Sequence, residues 1–96
     1  MPRTSKAAAA QAQRDAAIAL IDQQVKLVVN ELMEAERHYP SFHSPHEGYA
    51  VLLEEVRELE AEVFKGPRYR TRKAMQHEAI QVAAMAVRFL LCLARG

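Results

Sequence analysis

The sequence has no tryptophan, only three glycines, four prolines and a single cysteine among its 96 residues. Few helix breakers, together with abundant Ala, Leu, Glu, Gln, Arg and Lys, favour helices. No segment alternates Val, Ile, Thr or aromatic residues with polar ones, so strands are not supported. The lone Cys92 excludes an internal disulfide, and its apolar surroundings indicate a buried thiol in a reducing compartment.

A large charge of one sign is also missing, because the formal net charge is only +1 at neutral pH. This balance gives no general attraction to nucleic acid or to an anionic membrane. The sequence shows no apolar run approaching the roughly 20 residues of a membrane span. Its start, MPRTSKAAAA, lacks the apolar core of a signal peptide. We therefore expect a cytoplasmic protein without a membrane partner, and nucleic acid is not the expected ligand.

The spacing of apolar residues predicts three helices in one small domain. Residues 1–7 are expected to be a disordered or frayed tail, and residues 8–95 a single helical domain. The first helix is expected to end near His38. Its apolar residues recur at alternating steps of three and four, which is typical of a helix packed along one side: Ile18, Ile21, Val25, Val28 and Leu32.

The second helix has a strong start signal. Ser44 can act as the N-cap, Pro45 as the first helical residue and Glu47 as the third, which completes a capping box. The helix is expected to end near Phe64, before a Gly-Pro stop. Its residues predicted to face inward are Tyr49, Leu52, Val56, Leu59 and Val63.

The third helix is expected from about Thr71 to about Leu93. Small residues within it would allow another backbone to approach closely. Its predicted inward stripe consists of Met75, Ala79, Val82, Ala86, Phe89 and Leu93.

Three helices joined by short loops predict an all-α, antiparallel bundle. The first and third helices are apolar on more than one flank, which exceeds what a three-helix monomer would cover. We therefore expect a homodimer or homotetramer whose core is completed by another copy of the chain. The alternative is a monomeric bundle with some exposed Leu and Val.

Acidic and amide side chains recur three residues apart on the second and third helices, in the motifs EEVRE (residues 54–58) and HEAIQ (residues 77–81). On a helical wheel they flank the apolar stripes, with Glu54 pointing furthest away. If the stripes pack together, four oxygen-bearing side chains converge into a site suited to Mg²⁺: Glu55, Glu58, Glu78 and Gln81. The alternative is a solvated glutamate-rich face that binds no metal.

Basic residues crowd the connection between the second and third helices. Positive charge at the start of a helix opposes its dipole, and a phosphate bound there would offset that cost. The alternative is a solvated basic turn. Arg88, near Gln81 on the third helix, would contact a substrate phosphate or pair with a glutamate. The predicted phosphate ligands are Lys65, Arg70, Arg72, Lys73 and Arg88.

The two acidic motifs resemble those of the MazG-like all-α nucleoside triphosphate pyrophosphohydrolases, whose pattern is EExxE, a spacer and ExxD. Glu54, Glu55 and Glu58 match the first part, and Glu78 starts the second. The resemblance covers about residues 43–93. It implies a helical bundle, completed by oligomerisation, that uses Mg²⁺ or Mn²⁺ to cleave a nucleoside triphosphate between its α- and β-phosphates. The products would be a nucleoside monophosphate and pyrophosphate.

The resemblance also implies roles for individual residues. Glu55, Glu58 and Glu78 would be metal ligands together with Gln81, and Glu54 would be a supporting carboxylate. The catalytic carboxylates would be Glu54, Glu55 and Glu58, one of which takes a proton from the attacking water.

The chain departs from the family pattern at Gln81, where the family has Asp. An amide oxygen can still bind Mg²⁺, but it brings no charge and cannot act as a base. A second hypothesis is therefore a non-catalytic relative that binds a nucleotide or a partner protein. A third is a purely structural helical oligomer.

Overall fold

The computed structural model describes residues 5–96, and these contain three α-helices and no strand. Helix α1 spans Lys6–His38, α2 spans Pro45–Val63 and α3 spans Arg72–Arg95. The predicted all-α class is confirmed, and the helix ends lie within about two residues of the predicted ones. Of the tail predicted at residues 1–7, residues 1–4 lie outside the described part of the chain.

Each helix begins after a hydroxyl-bearing N-cap, namely Ser5, Ser44 and Thr71. In each case the side-chain oxygen accepts a hydrogen bond at 3.0–3.1 Å from the backbone N–H three residues later. The capping box predicted at Ser44 is only half formed. The Glu47 carboxylate turns to His43 instead, where it lies 3.4 Å from the backbone nitrogen and 3.0 Å from Nδ1.

Helix α3 is the central element, because it packs against both α1 and α2, whereas α1 and α2 make no close backbone contact with each other within residues 5–96. The hydrophobic core is small and lies where the connection between α1 and α2 meets α3. Its buried apolar residues are Ala35, Phe42, Ala84 and Met85.

Gly48 brings α2 close to this core. A Cβ atom at this position would lie 2.7 Å from a ring carbon of Phe89 and 2.9 Å from a ring carbon of Phe42. Both distances are shorter than a normal van der Waals contact. The absence of a side chain therefore sets how closely α2 packs here.

The inner face of α2 matches the predicted one only in part: three of the five residues predicted to face inward are half-buried. Tyr49 and Val56, both expected to point inward, are 60% and 39% exposed. Gly48 is buried, while Val51 and Glu55 are half-buried. The inner face is thus rotated by roughly 60° from the apolar stripe toward the acidic motif.

Helix α3 is rotated in the same sense, by about a quarter turn. Ala79 and Leu93 of the predicted stripe are exposed, whereas Ala84, Met85 and Arg88 are buried. Both helices therefore turn polar edges toward each other and leave part of their apolar stripes facing outward. The apolar periodicity located the stripes but not the faces that meet within one chain.

The chain by itself is elongated. Its Cα radius of gyration is 18.2 Å, against about 12.5 Å for a compact domain of this length. Its accessible surface is 7726 Å², against about 5,500 Å² for a compact monomer of this mass. All of residues 11–27 in α1 are exposed. One copy thus leaves unburied much of the surface that a compact domain buries.

Helix α3 meets the length and composition criteria for a membrane span, contrary to the sequence expectation that no stretch would. An 18-residue window of α3 has a mean hydropathy of 1.4. Core helices of soluble proteins satisfy the same criteria. In this chain α3 packs between its two neighbours and carries the buried Arg88.

Candidate metal centre

Three carboxylates from α2 and α3 converge, and we call them the carboxylate cluster: Glu55, Glu58 and Glu78. Each offers one oxygen within 4.8 Å of those of the other two. Glu55 and Glu58 lie about one turn apart on α2, and the packing of α3 brings Glu78 to them. Two oxygens on opposite sides of Mg²⁺ lie about 4.2 Å apart, given a metal–oxygen distance of about 2.1 Å. The cluster therefore has roughly the size that a small divalent cation would draw together.

The electrostatics of the cluster are unfavourable without a cation. The pKa of Glu55 is raised from 4.5 to about 7. Burial is the largest cause, followed by the charge of Glu58 and a hydrogen bond with it, and then by the charges of Glu78 and Glu54. Without a counter-ion, the cluster therefore holds a proton up to near neutral pH.

The donor set fits a hard divalent cation. Oε2 of Glu78 is buried and has no hydrogen-bond partner, which costs desolvation energy unless a positive group satisfies it. None of the ion pairs formed within residues 5–96 includes Glu55, Glu58 or Glu78. Carboxylate oxygens are the ligands that Mg²⁺ and Mn²⁺ prefer. A cation at this position would satisfy the orphaned oxygen and remove the mutual repulsion.

The remaining residues of the predicted metal site lie near the cluster. Glu54 is exposed and is the smallest contributor to the raised pKa of Glu55, in line with its predicted outward direction. Gln81 is half-buried and lines the same cavity as Glu55. The structure thus brings Glu55, Glu58 and Glu78 together and places Gln81 beside them.

That cavity, which we call the central cavity, has a volume of about 410 Å³ and is lined by all three helices and the connection between α1 and α2. This volume falls within the roughly 300–1,000 Å³ typical of small-molecule sites. Apolar side chains form much of its wall, while Glu31, Glu47 and Arg88 add charge. The apolar part consists of Ala35, Phe42, Val51 and Met85.

Arg88 has a different environment from the one predicted. It is only 5% exposed, and its Nη2 donates to the carbonyl oxygens of Pro40 at 2.8 Å and Tyr39 at 3.3 Å. Its guanidinium carbon lies 4.7 Å from the ring centroid of Phe42, within the range of a cation–π contact. Nε is buried without a partner. These contacts fix the connection between α1 and α2, and a phosphate contact by Arg88 stays a prediction.

Two of the predicted phosphate ligands brace the connection between α2 and α3. Nζ of Lys65 lies 2.9 Å from a carboxylate oxygen of Glu62. Nη1 of Arg70 donates to the carbonyl oxygen of Val63 at 3.3 Å. Both side chains thus stabilise the end of α2, and their outward positions keep them accessible.

The other two, Arg72 and Lys73, are exposed in the first turn of α3. Lys73 lines a second, open cavity of about 330 Å³ together with the N-cap Thr71, His77 and Glu78. We call it the N-terminal cavity of α3. Glu78 therefore links the carboxylate cluster to a helix N-terminus that carries a lysine.

Sequence reasoning missed the residues that line the central cavity from outside the two motifs. Phe42, Glu31 and Glu47 belong to α1, to the connection or to the first turn of α2. Nothing in the apolar periodicity marks them, because their approach to Glu55 depends on tertiary packing.

The chain matches no protein-family model, no curated protein and no solved structure. The resemblance to the MazG-like pyrophosphohydrolases therefore rests on the two acidic motifs.

Proposed function

We propose that the protein is a Mg²⁺- or Mn²⁺-dependent nucleoside triphosphate pyrophosphohydrolase that releases pyrophosphate and a nucleoside monophosphate. The observation that carries the proposal is a carboxylate cluster that borders two cavities. Glu55 lines the central cavity, where Phe42 offers an aromatic ring, and Glu78 lines the N-terminal cavity of α3, where Lys73 offers a positive charge. A nucleotide bound across both would place its base in the first cavity and its phosphate chain in the second.

The carboxylates would divide the chemistry among themselves. A divalent cation held by Glu55, Glu58 and Glu78, with Gln81 as a further oxygen donor, would neutralise phosphate charge and acidify water. One of the carboxylates Glu54, Glu55 and Glu58 would accept the proton that the water releases. Glu54 would add negative charge from outside the cluster.

The phosphate chain would lie toward the start of α3. Free backbone N–H groups and the positive end of the helix dipole favour an anion there. Lys73 lines that cavity, and the exposed basic residues nearby add attraction: Lys65, Arg70 and Arg72. The nucleoside would then enter the central cavity, where Phe42 offers an aromatic ring and Arg88 a charge.

The proposal extends to the assembly. We propose antiparallel packing of the helices and a core completed in a homodimer or homotetramer in the cytoplasm. The elongated shape of one chain and its large exposed surface support this assembly. The outward-facing apolar residues Tyr49, Val56 and Leu93 support it as well.

The test is a panel of common and modified nucleoside triphosphates, scored for pyrophosphate release with Mg²⁺ or Mn²⁺. We expect turnover of at least one nucleotide, which the Glu58→Ala variant loses. Glu60→Ala is the matched control, because Glu60 is an exposed glutamate of the same helix outside the cluster. Absence of turnover across the whole panel would contradict the proposal.

A non-catalytic nucleotide-binding protein is the second candidate, favoured by the amide at Gln81. The variant Gln81→Asp separates the two, because it restores the charge of the family pattern. A large gain in pyrophosphate release would mean that the native chain binds nucleotide without efficient turnover. Fast turnover by the native protein would exclude this candidate.

A further inference from the structure

We infer that two copies of this chain pair through the N-terminal halves of their α1 helices, in antiparallel orientation. The contact surface, which we call the α1 seam, is centred on Ile18, Ile21 and Val25. This inference rests on the homo-oligomer proposed above, to which it assigns a surface and a direction. It does not depend on the hydrolase activity.

One apolar stripe of α1 has two environments. Toward the C-terminal end, Val28 and Leu32 pack against the hydrophobic core. Toward the N-terminal end, the same stripe continues through Val25, Ile21 and Ile18, which are 49%, 57% and 55% exposed. Helical spacing places all five on one side of α1. The stripe therefore continues past the end of its partner within the chain.

Further apolar side chains widen this surface. They flank the α1 seam and are 38–59% exposed: Leu20, Leu27, Val29 and Met33. Exposed apolar side chains in this number along one helix indicate an interaction surface.

The surface available is sufficient for a dimer of this chain. The chain exposes about 2,200 Å² more than a compact monomer of the same mass. A standard stable interface needs about 800 Å² from each partner. The excess surface of one chain is therefore large enough to supply its half of such an interface.

Charge favours the antiparallel direction. Residues 6–16 of α1 carry a net positive charge, because Lys6 and Arg14 outnumber Asp15. Residues 28–38 are acidic, since three glutamates there outnumber Arg37. Antiparallel pairing places the basic end of one helix beside the acidic end of the other, whereas parallel pairing places like charges together. In antiparallel pairing the two helix dipoles also point in opposite directions, and this arrangement is favourable.

A twofold axis that passes near Ile21 fits both the apolar stripe and the charges. Ile18 of one copy then lies opposite Val25 of the other, in a contact that is the same from both sides. The alanine-rich residues 7–12 of the second copy would lie along residues 31–36, beside the wall of the central cavity formed by Glu31 and Ala35. The dimer would thereby brace α1, which among the helices of residues 5–96 packs against α3 alone.

Light scattering after size exclusion tests the surface. We expect the full chain to have twice its 10.8 kDa mass at tens of micromolar, or four times if dimers pair. Ile21→Glu should reduce that mass by half or more. Gln23→Glu is the matched control: it adds the same charge about 160° from Val25 on an exposed position of the same helix, and should leave the mass unchanged. Circular dichroism should show equal helix content in both variants.

Cross-linking tests the direction, even if Ile21→Glu does not fold. In a Cys92→Ser background, cysteines at positions 14 and 29 should form disulfides between unlike positions of two copies, identified by peptide mass spectrometry. Links between like positions only would overturn the antiparallel arrangement.

The outcomes separate the inference from the proposals above. A monomeric native chain would overturn both the α1 seam and the homo-oligomer. An oligomer whose mass Ile21→Glu does not change would overturn the α1 seam alone. Co-sedimentation of a monomeric chain with anionic vesicles would show that the stripe contacts lipid instead. None of these measurements depends on pyrophosphate release.

Discussion

The inner face of α3 carries a buried charged group near each end, and the two groups have different surroundings. Near the C-terminal end, Arg88 is buried and its Nε has no partner, but its Nη2 has two carbonyl acceptors and its guanidinium lies over an aromatic ring. Near the N-terminal end, Glu78 has a buried oxygen without a partner and two other carboxylates close to it. Burying a charge is tolerated when it is paired and costly when it is not. The first end therefore has the features of a structural contact, and the second those of a site for a cation.

Neighbouring contacts strengthen the contrast. Arg95, about two helical turns beyond Arg88, donates a hydrogen bond to Ser41 at 3.1 Å and lies 3.5 Å from a carboxylate oxygen of Glu36. At the other end, the pKa of Glu55 is raised to about 7 because burial and neighbouring carboxylates act together. The C-terminal end of α3 is thus held to the rest of the chain by hydrogen bonds and an ion pair. The N-terminal end has carboxylates that repel one another in the absence of a ligand.

The largest effect is expected from Glu78→Gln, which removes one charge from the carboxylate cluster without changing its shape. Mg²⁺-dependent pyrophosphate release should fall roughly 1,000-fold, or about 4 kcal/mol in the barrier. The metal-free protein should become more stable, because repulsion at Glu55 is relieved. Enzyme assays and urea unfolding in EDTA measure the two effects.

Glu60→Gln, an exposed change of the same type, should leave both quantities unaltered. A metal-free Glu78→Gln protein less stable than the native one would show that Glu78 has a favourable partner, and the contrast between the two ends would fail.

The second largest effect is expected from Arg88→Met, which keeps the length of the side chain but removes its donors. Unfolding free energy should fall by about 2–3 kcal/mol, since charge-assisted hydrogen bonds to Pro40 and Tyr39 are lost. Arg57→Met, at an exposed arginine of α2, should change it by less than about 0.5 kcal/mol. The midpoints of urea unfolding measure the stability change in both variants.

If Arg88→Met instead leaves stability intact and weakens only nucleotide binding, Arg88 acts as the phosphate ligand that the sequence predicted. The two ends of α3 would then both belong to the site.

Much of the secondary structure was accessible from the sequence. The N-cap at Ser44, the proline after it and the stop near Phe64 act through neighbours a few residues away, so local pattern was enough to place α2. The convergence of Glu55, Glu58 and Glu78 was also expected, because their spacing put them beside the seams of two adjacent helices.

The helix faces that pack against each other could not be predicted from local pattern in the same way. Apolar periodicity finds the most apolar side of a helix, but it does not reveal whether that side meets another helix of the chain or some other surface. Tyr49 and Val56 belong to the apolar stripe of α2 and yet are exposed. The carbonyl contacts of Arg88 were not predicted for a related reason: its acceptors lie 48 and 49 residues away, and no local pattern identifies them.

A smaller effect is expected from Gly48→Ala, which probes the packed end of the molecule. The new Cβ would force the rings of Phe89 and Phe42 to shift, and overpacking of this kind costs about 1–3 kcal/mol. Higher helix propensity returns up to about 1 kcal/mol. The net loss of about 1 kcal/mol should appear in thermal unfolding.

Gly66→Ala is the control, because the nearest atom to a Cβ there is a Tyr69 ring carbon at 3.9 Å. That variant should have unchanged or slightly raised stability. Equal effects at both glycines would mean that the close approach of α2 does not contribute to stability.

The smallest effect is expected from pH, because Glu55 is only partly buried. Its pKa is about 7 in the folded chain and 4.5 ordinarily, so between these values the folded state holds a proton that the unfolded state has released. The stabilisation from this proton is complete below pH 4.5 and is lost as pH rises through 7. In EDTA, the melting temperature should therefore fall over this window, and Glu55→Gln should make the fall smaller.

Mg²⁺ should flatten this dependence, because a folded state that binds the cation no longer holds the extra proton on Glu55. Because a cation competes with the proton for the same oxygens, its affinity rises as Glu55 loses its proton, and bound cation stabilises only the folded state. Melting curves at pH 6 and pH 8, with and without Mg²⁺, should show a larger stabilisation at pH 8. Equal stabilisation at both values would place the cation away from Glu55, and the unfavourable end of α3 would then need a different ligand.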